Sequence, residues 1–298
     1  MIKKIAFGFM GILVITALWY FFIKAEDYRI NFKVDTSIGT VNQSIKSWNT
    51  SLKDSQPIVQ NSFNELSQTI RSGDSVHYYH WDFQRQNDSV VQVTLKVTDS
   101  AYSLKNRWAV LFGGNTFTDN TKKRGKEFLD LLDSHLKKIR VKIKGEAETP
   151  ERFSAYVPIK SSQITKAKGM MEYINTLTNF IVQNDLEPKG TPFVEITRWD
   201  RKKDSLEYKF CFPIVKTDSL PEHHLVKYHE TTAKKALMAI YNGNYITSDR
   251  AWYALEEYAE KNNIQVTSEI YEVFHNNPNM GGNELTWKTE VFMVLKEQ

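Results

Sequence analysis

The sequence predicts an α+β protein in three parts: an apolar N-terminal helix, an antiparallel domain closed by one long helix, and a duplicated βαββ domain. Three observations predict it. Ile5–Ile23 is a run of 19 residues without a charge. Residues 66–112 alternate between apolar and polar, and after Gly113-Gly114 the apolar spacing changes to three and four. The second half of the chain repeats one order of elements twice.

The N-terminal run, IAFGFMGILVITALWYFFI, is just long enough to cross a hydrocarbon core of about 30 Å as an α-helix. Trp19 and Tyr20 stand near its end, where interfacial aromatics collect. Lys3 and Lys4 precede it, whereas Lys24 is offset by Glu26 and Asp27. The positive-inside rule then predicts a single-pass signal-anchor over residues 1–26, in contact with the lipid bilayer through residues 5–23. Everything after Lys24 would lie on the non-cytoplasmic side of the inner membrane. The rival readings are a cleaved signal peptide, disfavoured because no small-x-small site follows, and a buried core helix.

Residues 27–146 open with a strand at Tyr28–Val34, followed by a polar stretch around Trp48. Three further runs are expected as strands: His77–Phe83, Val90–Val97 and Ser103–Phe112. Turns are expected at Asn87-Asp88 and Thr98-Asp99. Phe128, Leu131, Leu132, His135, Leu136 and Ile139 then mark an amphipathic helix from about Asp119 to Lys142. Gly145–Pro150, polar and poor in apolar residues, is expected as a linker.

In residues 150–298 the first unit runs strand Phe153–Ile159, helix Gln163–Asn184, strand Pro192–Trp199 and strand Leu206–Val215. The second runs strand Leu225–Tyr228 with Ala236–Tyr241, helix Ser248–Asn262, strand Glu269–His275 and strand Thr286–Leu295. Val194-Glu195-Ile196 aligns with Tyr271-Glu272-Val273. A single unit cannot bury its apolar face, so the two are expected to form one curved sheet with both helices on one side and a cleft on the other.

Composition narrows the function. With 41% hydrophobic and 25% charged residues the chain is globular rather than disordered. Its net charge of +4 is dispersed, so there is no footprint for nucleic acid. Cys211 is the only cysteine, which excludes an intrachain disulfide and a thiolate metal cluster. His223, His224 and His229 lie with Glu222 in a polar stretch that reads as a solvated loop rather than a metal site. His77 and His80 fall on opposite faces of one strand and do not suit joint ligation. No phosphate loop, nucleophile elbow or triad is present. No cofactor and no metal are expected.

The last 60 residues hold the most specific pattern: YNGNYITSDRAWYALEEYAEKNNI, then SEIYEVFHNNP, then TWKTEVFMVLK. With the repeat, this resembles the GyrI-like family, the effector-binding domain of AraC-type and MerR-type regulators. That family has two βαββ repeats around a small-molecule pocket, a "p-x-E-v-Y-x-n-d-P" strand and a "t-E-i-x-x-P" final strand. Phe274 replaces the family Tyr, and the last strand lacks the Pro that the first repeat keeps at Pro213. No helix-turn-helix accompanies the domain, so the resemblance does not imply DNA binding. By element order alone, residues 27–146 resemble the SRPBCC (START/polyketide-cyclase-like) helix-grip fold. An ordinary α+β domain without a cavity fits nearly as well.

The residues support a pocket on their own account. A strand carboxylate among aromatics is costly to bury unless a cation or a hydrogen-bond donor meets it. Glu272 alternates with Tyr271 and Val273 and so shares a face with Ile270 and Phe274; Glu290 shares one with Phe292 and Lys288. The expected ligand set is Glu272 and Glu290 with Tyr156, Trp199, Tyr245, Trp252, Tyr271, Phe274 and Trp287. The bland alternative is solvated or salt-bridged glutamates.

Three functions remain open. The first is a membrane-anchored binder of an apolar or cationic small molecule. The second is a structural or partner-binding envelope protein, of unknown protein partner, whose cleft is filled by side chains. The third is a hydrolase with Glu272 as base, which the resemblance to hydrolytic family members suggests.

Overall fold

A computed structural model describes residues 2–87, 90–276 and 281–297. Asp88 of the expected turn and Asn277-Pro278 of the family pattern lie outside them. The architecture is α+β with two antiparallel sheets, and the chain divides into two compact units, Met1–Leu132 and Asp133–Gln298.

The membrane-spanning reading of the N-terminus is corrected. Among the described residues, no helix is long and apolar enough to cross a membrane. The regular α-helix (α1) is Ile2–Leu18, 17 residues. At 1.5 Å per residue that is about 26 Å, short of a hydrocarbon core of about 30 Å. Trp19–Ile23 continues as a π-helix. The apolar run is therefore 19 residues long in sequence but is not one α-helix. The transmembrane fold element and the single-pass localisation fall with it.

The first unit holds a five-stranded sheet, with β1 Tyr28–Asp35, β2 Val59–Ser62, β3 Glu65–Ser72, β4 Ser75–Arg85 and β5 Val90–Asp99, in the order β1-β5-β4-β3-β2. Helix α2 (Ile38–Ser51) is capped by Ser37, whose Oγ accepts from the Thr40 N–H. Trp48 of α2, Trp81 of β4 and Phe128 form an aromatic core with centroids 5.3 to 6.2 Å apart. Ser103–Leu111, expected as a strand, is instead helix α3. The Asp99 carboxylate accepts from the N–H groups of Ala101 and Tyr102 and from Asn106, which turns the chain into that helix. Arg107 of α3 then pairs with buried Asp27 at 2.7 Å and donates to the carbonyls of Tyr20 and Phe21. Helix α4 is Thr116–Lys137, not Asp119–Lys142.

In the second unit, Arg140–Glu148 is a strand, β6, that takes in most of the expected linker. Then follow β7 Arg152–Ser161, α5 Lys166–Gln183, β8 Phe193–Asp200, β9 Ser205–Pro213, β10 Lys227–Thr231, β11 Lys235–Asn242, α6 Arg250–Lys261, β12 Val266–Phe274 and β13 Lys288–Leu295. They form an eight-stranded sheet in the order β10-β7-β9-β8-β12-β13-β11-β6, and the two repeats meet at β8 and β12. Side chains from both helices reach Glu272 of β12, so α5 and α6 cover the same side of the sheet.

Candidate ligand-binding site

Strand register decides which candidate residues can meet. Along β8 and β12, Tyr271 lies opposite Glu195, and Glu272 lies opposite Val194. Neighbours across a ladder share a face, and successive residues do not. Glu195 and Glu272 therefore point to opposite sides of the sheet. The alignment of Val194-Glu195-Ile196 with Tyr271-Glu272-Val273 is out by one residue, and such a slip exchanges the two faces.

Glu272 points to the helix side and is fully buried. One oxygen accepts the indole N–H of Trp252 at 2.8 Å, and the other accepts the Lys166 ammonium at 2.5 Å. That ammonium also donates to the Ser248 hydroxyl at 2.9 Å and lies 4.8 Å from the centroid of the Trp252 ring. Lys166 is held by its own backbone too, since the Tyr208 hydroxyl donates to its carbonyl at 2.8 Å. Gly169, one turn on, makes room, because a Cβ there would collide with that hydroxyl. Trp199 packs on Trp252 with centroids 5.2 Å apart, and its indole N–H donates to Gln163. Tyr245, Phe274 and Trp287 form a neighbouring cluster, with the Tyr245 ring 4.9 Å from Phe274 and 5.8 Å from Trp287.

The other face has an aromatic floor and a charged surround. Phe193 and Tyr271 stack with centroids 6.4 Å apart, in one cluster with Cys211, Val273 and Phe292. Burial and the nearby Glu195 charge push the Tyr271 hydroxyl well above its ordinary range, so it stays protonated and donates to Glu269 at 2.7 Å. Glu195 is itself only 5% exposed. Both its oxygens accept from Lys209 at 3.1 Å, and His229 lies 3.1 Å away. The Lys209 ammonium also lies 5.5 Å from the centroid of the Tyr156 ring. Beside this group is a hollow of about 380 Å³ lined by Tyr156, Pro158, Lys160, Thr197, Glu207 and Lys209. Glu290 stands on the same face, bound by His275 and Lys288. Burial alone would raise its carboxyl, but these hydrogen bonds hold it below the usual range.

The expected ligand set is thus divided. Glu272, Trp199, Tyr245, Trp252, Phe274 and Trp287 belong to the helix side; Tyr156, Tyr271 and Glu290 belong to the other. Sequence reasoning missed Lys166, Ser248 and Lys209 and assigned His229 to a loop, although it lies in β10. Two signals were available. Lys209 alternates with Tyr208 and Phe210 in an apolar strand, and Lys166 opens an amphipathic helix. Among the described residues, no group of three or more His, Cys, Asp or Glu is arranged to hold a metal ion.

No family model and no curated protein matches the chain. Among solved structures it is similar to the EcmrR C-terminal domain, at 14% identity and a TM-score of 0.44, over 54% of this chain and 99% of that one. It is also similar to a hydrolase from Listeria innocua (8%, TM-score 0.36, 51% and 92%). A third likeness is to SAV2435 bound to tetraphenylphosphonium (10%, TM-score 0.34, 52% and 94%). These likenesses are of low identity and do not establish a family for the chain, nor do they show the helix-grip resemblance of residues 27–146. The chain's own residues carry the functional reading.

Proposed function

We propose that the Asp133–Gln298 unit binds a small organic cation, and that it does so at Glu195. The observation that supports this most directly is the seat of Lys209. A carboxylate and an aromatic face converge there on one positive charge, the arrangement that recognises ammonium-like ligands. Because Glu195 is nearly desolvated, its attraction for a cation is stronger than that of a surface carboxylate. Lys209 is a flexible side chain with 20% of its surface exposed. It can turn out to water when a ligand cation takes its place. The adjoining hollow, at about 380 Å³, falls within the range of small-molecule sites and offers Tyr156 and Pro158 to the apolar part of the ligand.

Catalysis is not part of this reading. Both oxygens of Glu272 are engaged and the residue is shut from solvent, so no substrate water reaches it in this arrangement. The buried Lys166–Glu272 pair favours a second reading, a scaffold with a filled cleft that binds a protein partner.

Calorimetric titration of the full chain with tetraphenylphosphonium separates the two. Saturable binding that is lost in Glu195→Gln and in Tyr156→Ala supports the cation site. A folded wild-type protein that takes up none of the probe sinks it in favour of the scaffold.

A further inference from the structure

We infer that Arg152 and Lys189 form an anion site for a small organic carboxylate, in a hollow at the end of the sheet where β7 and β10 begin and end. The inference uses other residues than the Glu195 reading and does not depend on it.

The hollow measures about 450 Å³, within the range of small-molecule sites, and is lined by Arg152, Lys189, Gly190, Ile214, Lys216 and Glu230 among others. Backbone hydrogen bonds fix its walls. The Lys189 N–H donates to the Pro213 carbonyl at 2.9 Å, and the Ile214 N–H donates to the Phe153 carbonyl at 2.9 Å. Arg152 stands across the β7–β10 ladder from Thr231, whose hydroxyl accepts its backbone N–H at 3.0 Å.

The Arg152 guanidinium is held but not neutralised. Its Nη1 donates to the Thr191 carbonyl at 2.9 Å, and its centre lies 5.6 Å from the centroid of the Phe193 ring. Among the described residues, no carboxylate pairs with it. The one carboxylate whose charge reaches it is Glu290, which is already bound by His275 and Lys288. A half-buried guanidinium without a counter-charge has lost part of its hydration and gained no ion pair in return. One carbonyl uses one of its five N–H donors, which leaves an edge for a bidentate partner. At Gly190 even a Cβ would lie 3.9 Å from Nη1, so the backbone there does not cover that edge.

Charge selects a carboxylate over a phosphate dianion. Of the three cations that line the hollow, Lys216 is spent on Glu230 at 2.7 Å. Arg152 and Lys189 remain, opposed by Glu151, whose Oε1 accepts the Ala233 N–H at 3.3 Å. The surplus is one positive charge, which matches a monoanion. Phe153 and Ile214 offer apolar surface to the rest of the ligand.

The test uses the full chain, with benzoate as probe and phenylglyoxal as an arginine reagent, and modification of Arg152 read by peptide mass spectrometry. Benzoate should slow that modification severalfold and saturably, whereas chloride at equal ionic strength should not. Lys189→Gln should raise the half-protecting benzoate concentration severalfold. Benzoate should also raise the melting temperature of the wild type but not of Arg152→Lys, which keeps the charge and loses the fork. Equal protection by chloride, or none by benzoate, overturns the inference. Stronger protection by inorganic phosphate than by benzoate overturns the choice of a carboxylate. If Arg152→Lys does not fold, protection of the wild type decides alone.

Discussion

Glu195 stands directly across the β8–β12 ladder from Tyr271, one position out of step with Glu272. That single register separates two carboxylates that look equivalent in sequence. One meets Lys209 and His229 beside an open hollow; the other meets Trp252 and a Lys166 ammonium that Ser248 also holds.

The first prediction concerns this division. Glu195→Gln should weaken tetraphenylphosphonium binding by about tenfold or more, about 1.4 kcal/mol. Ser248→Ala, on the opposite side of the sheet, should leave it unchanged. Isothermal titration of both variants checks this, and equal losses would place the probe elsewhere.

The buried pair yields a thermodynamic cycle. Glu272→Met or Lys166→Met alone should each lower stability by about 3–5 kcal/mol, because each leaves a buried partner without its counter-charge. Replacing both by methionine should cost much less than the sum of the two single changes. Urea unfolding at neutral pH measures all four corners. Additive losses would mean that the two side chains do not act as a unit.

Stability should depend on pH through His135. Burial is the largest cause of its depressed pKa, about 4 against an ordinary 6.5, followed by the Arg250 charge. The unfolded chain therefore binds a proton that the folded chain refuses. Stability from this residue is fully present above pH 6.5 and is lost as the pH falls toward 4, by about 3 kcal/mol at most. His135→Gln should flatten urea midpoints between pH 4.5 and 6.5, a window chosen to lie above about 4.3, where ordinary glutamates titrate. An unchanged slope would assign the effect to another group.

Gly169 supplies a packing test. A methyl group there would overlap the Tyr208 hydroxyl and approach Ile159 Cγ2 to 3.1 Å. Gly169→Ala should destabilise by about 1–3 kcal/mol through overpacking. Adding Tyr208→Phe removes the hydroxyl and should recover part of that loss, as thermal unfolding would reveal.

Much of the second unit was legible because its apolar periods are strong and occur twice. The order of β7, α5, β8 and β9, and of β11, α6, β12 and β13, follows from them. Alternation reports which residues share a face within a strand but not which face a neighbouring strand presents, and the register of Glu195 turned on that. Lys166 is 106 residues from Glu272, so no local pattern joins them. In the first unit, Leu104, Trp108 and Leu111 recur at four and three, the helical spacing of α3, yet the strands before them favoured a strand reading. At the N-terminus, composition described an apolar run but not the change of helix type at Trp19. Strand β6 was hidden because Gly145 and its charged neighbours resemble a linker, although β11 pairs with them across a register shift.

Cys211 lies across from Tyr156 and Phe193, on the same face as Glu195, with no exposed surface, and burial pushes its thiol well above the ordinary range. As the only sulfhydryl in the chain, it gives the binding face an intrinsic clock. A maleimide can react with it only in the moments when strands β7, β8 and β9 part, so the rate of alkylation counts the openings of that face without any engineered label.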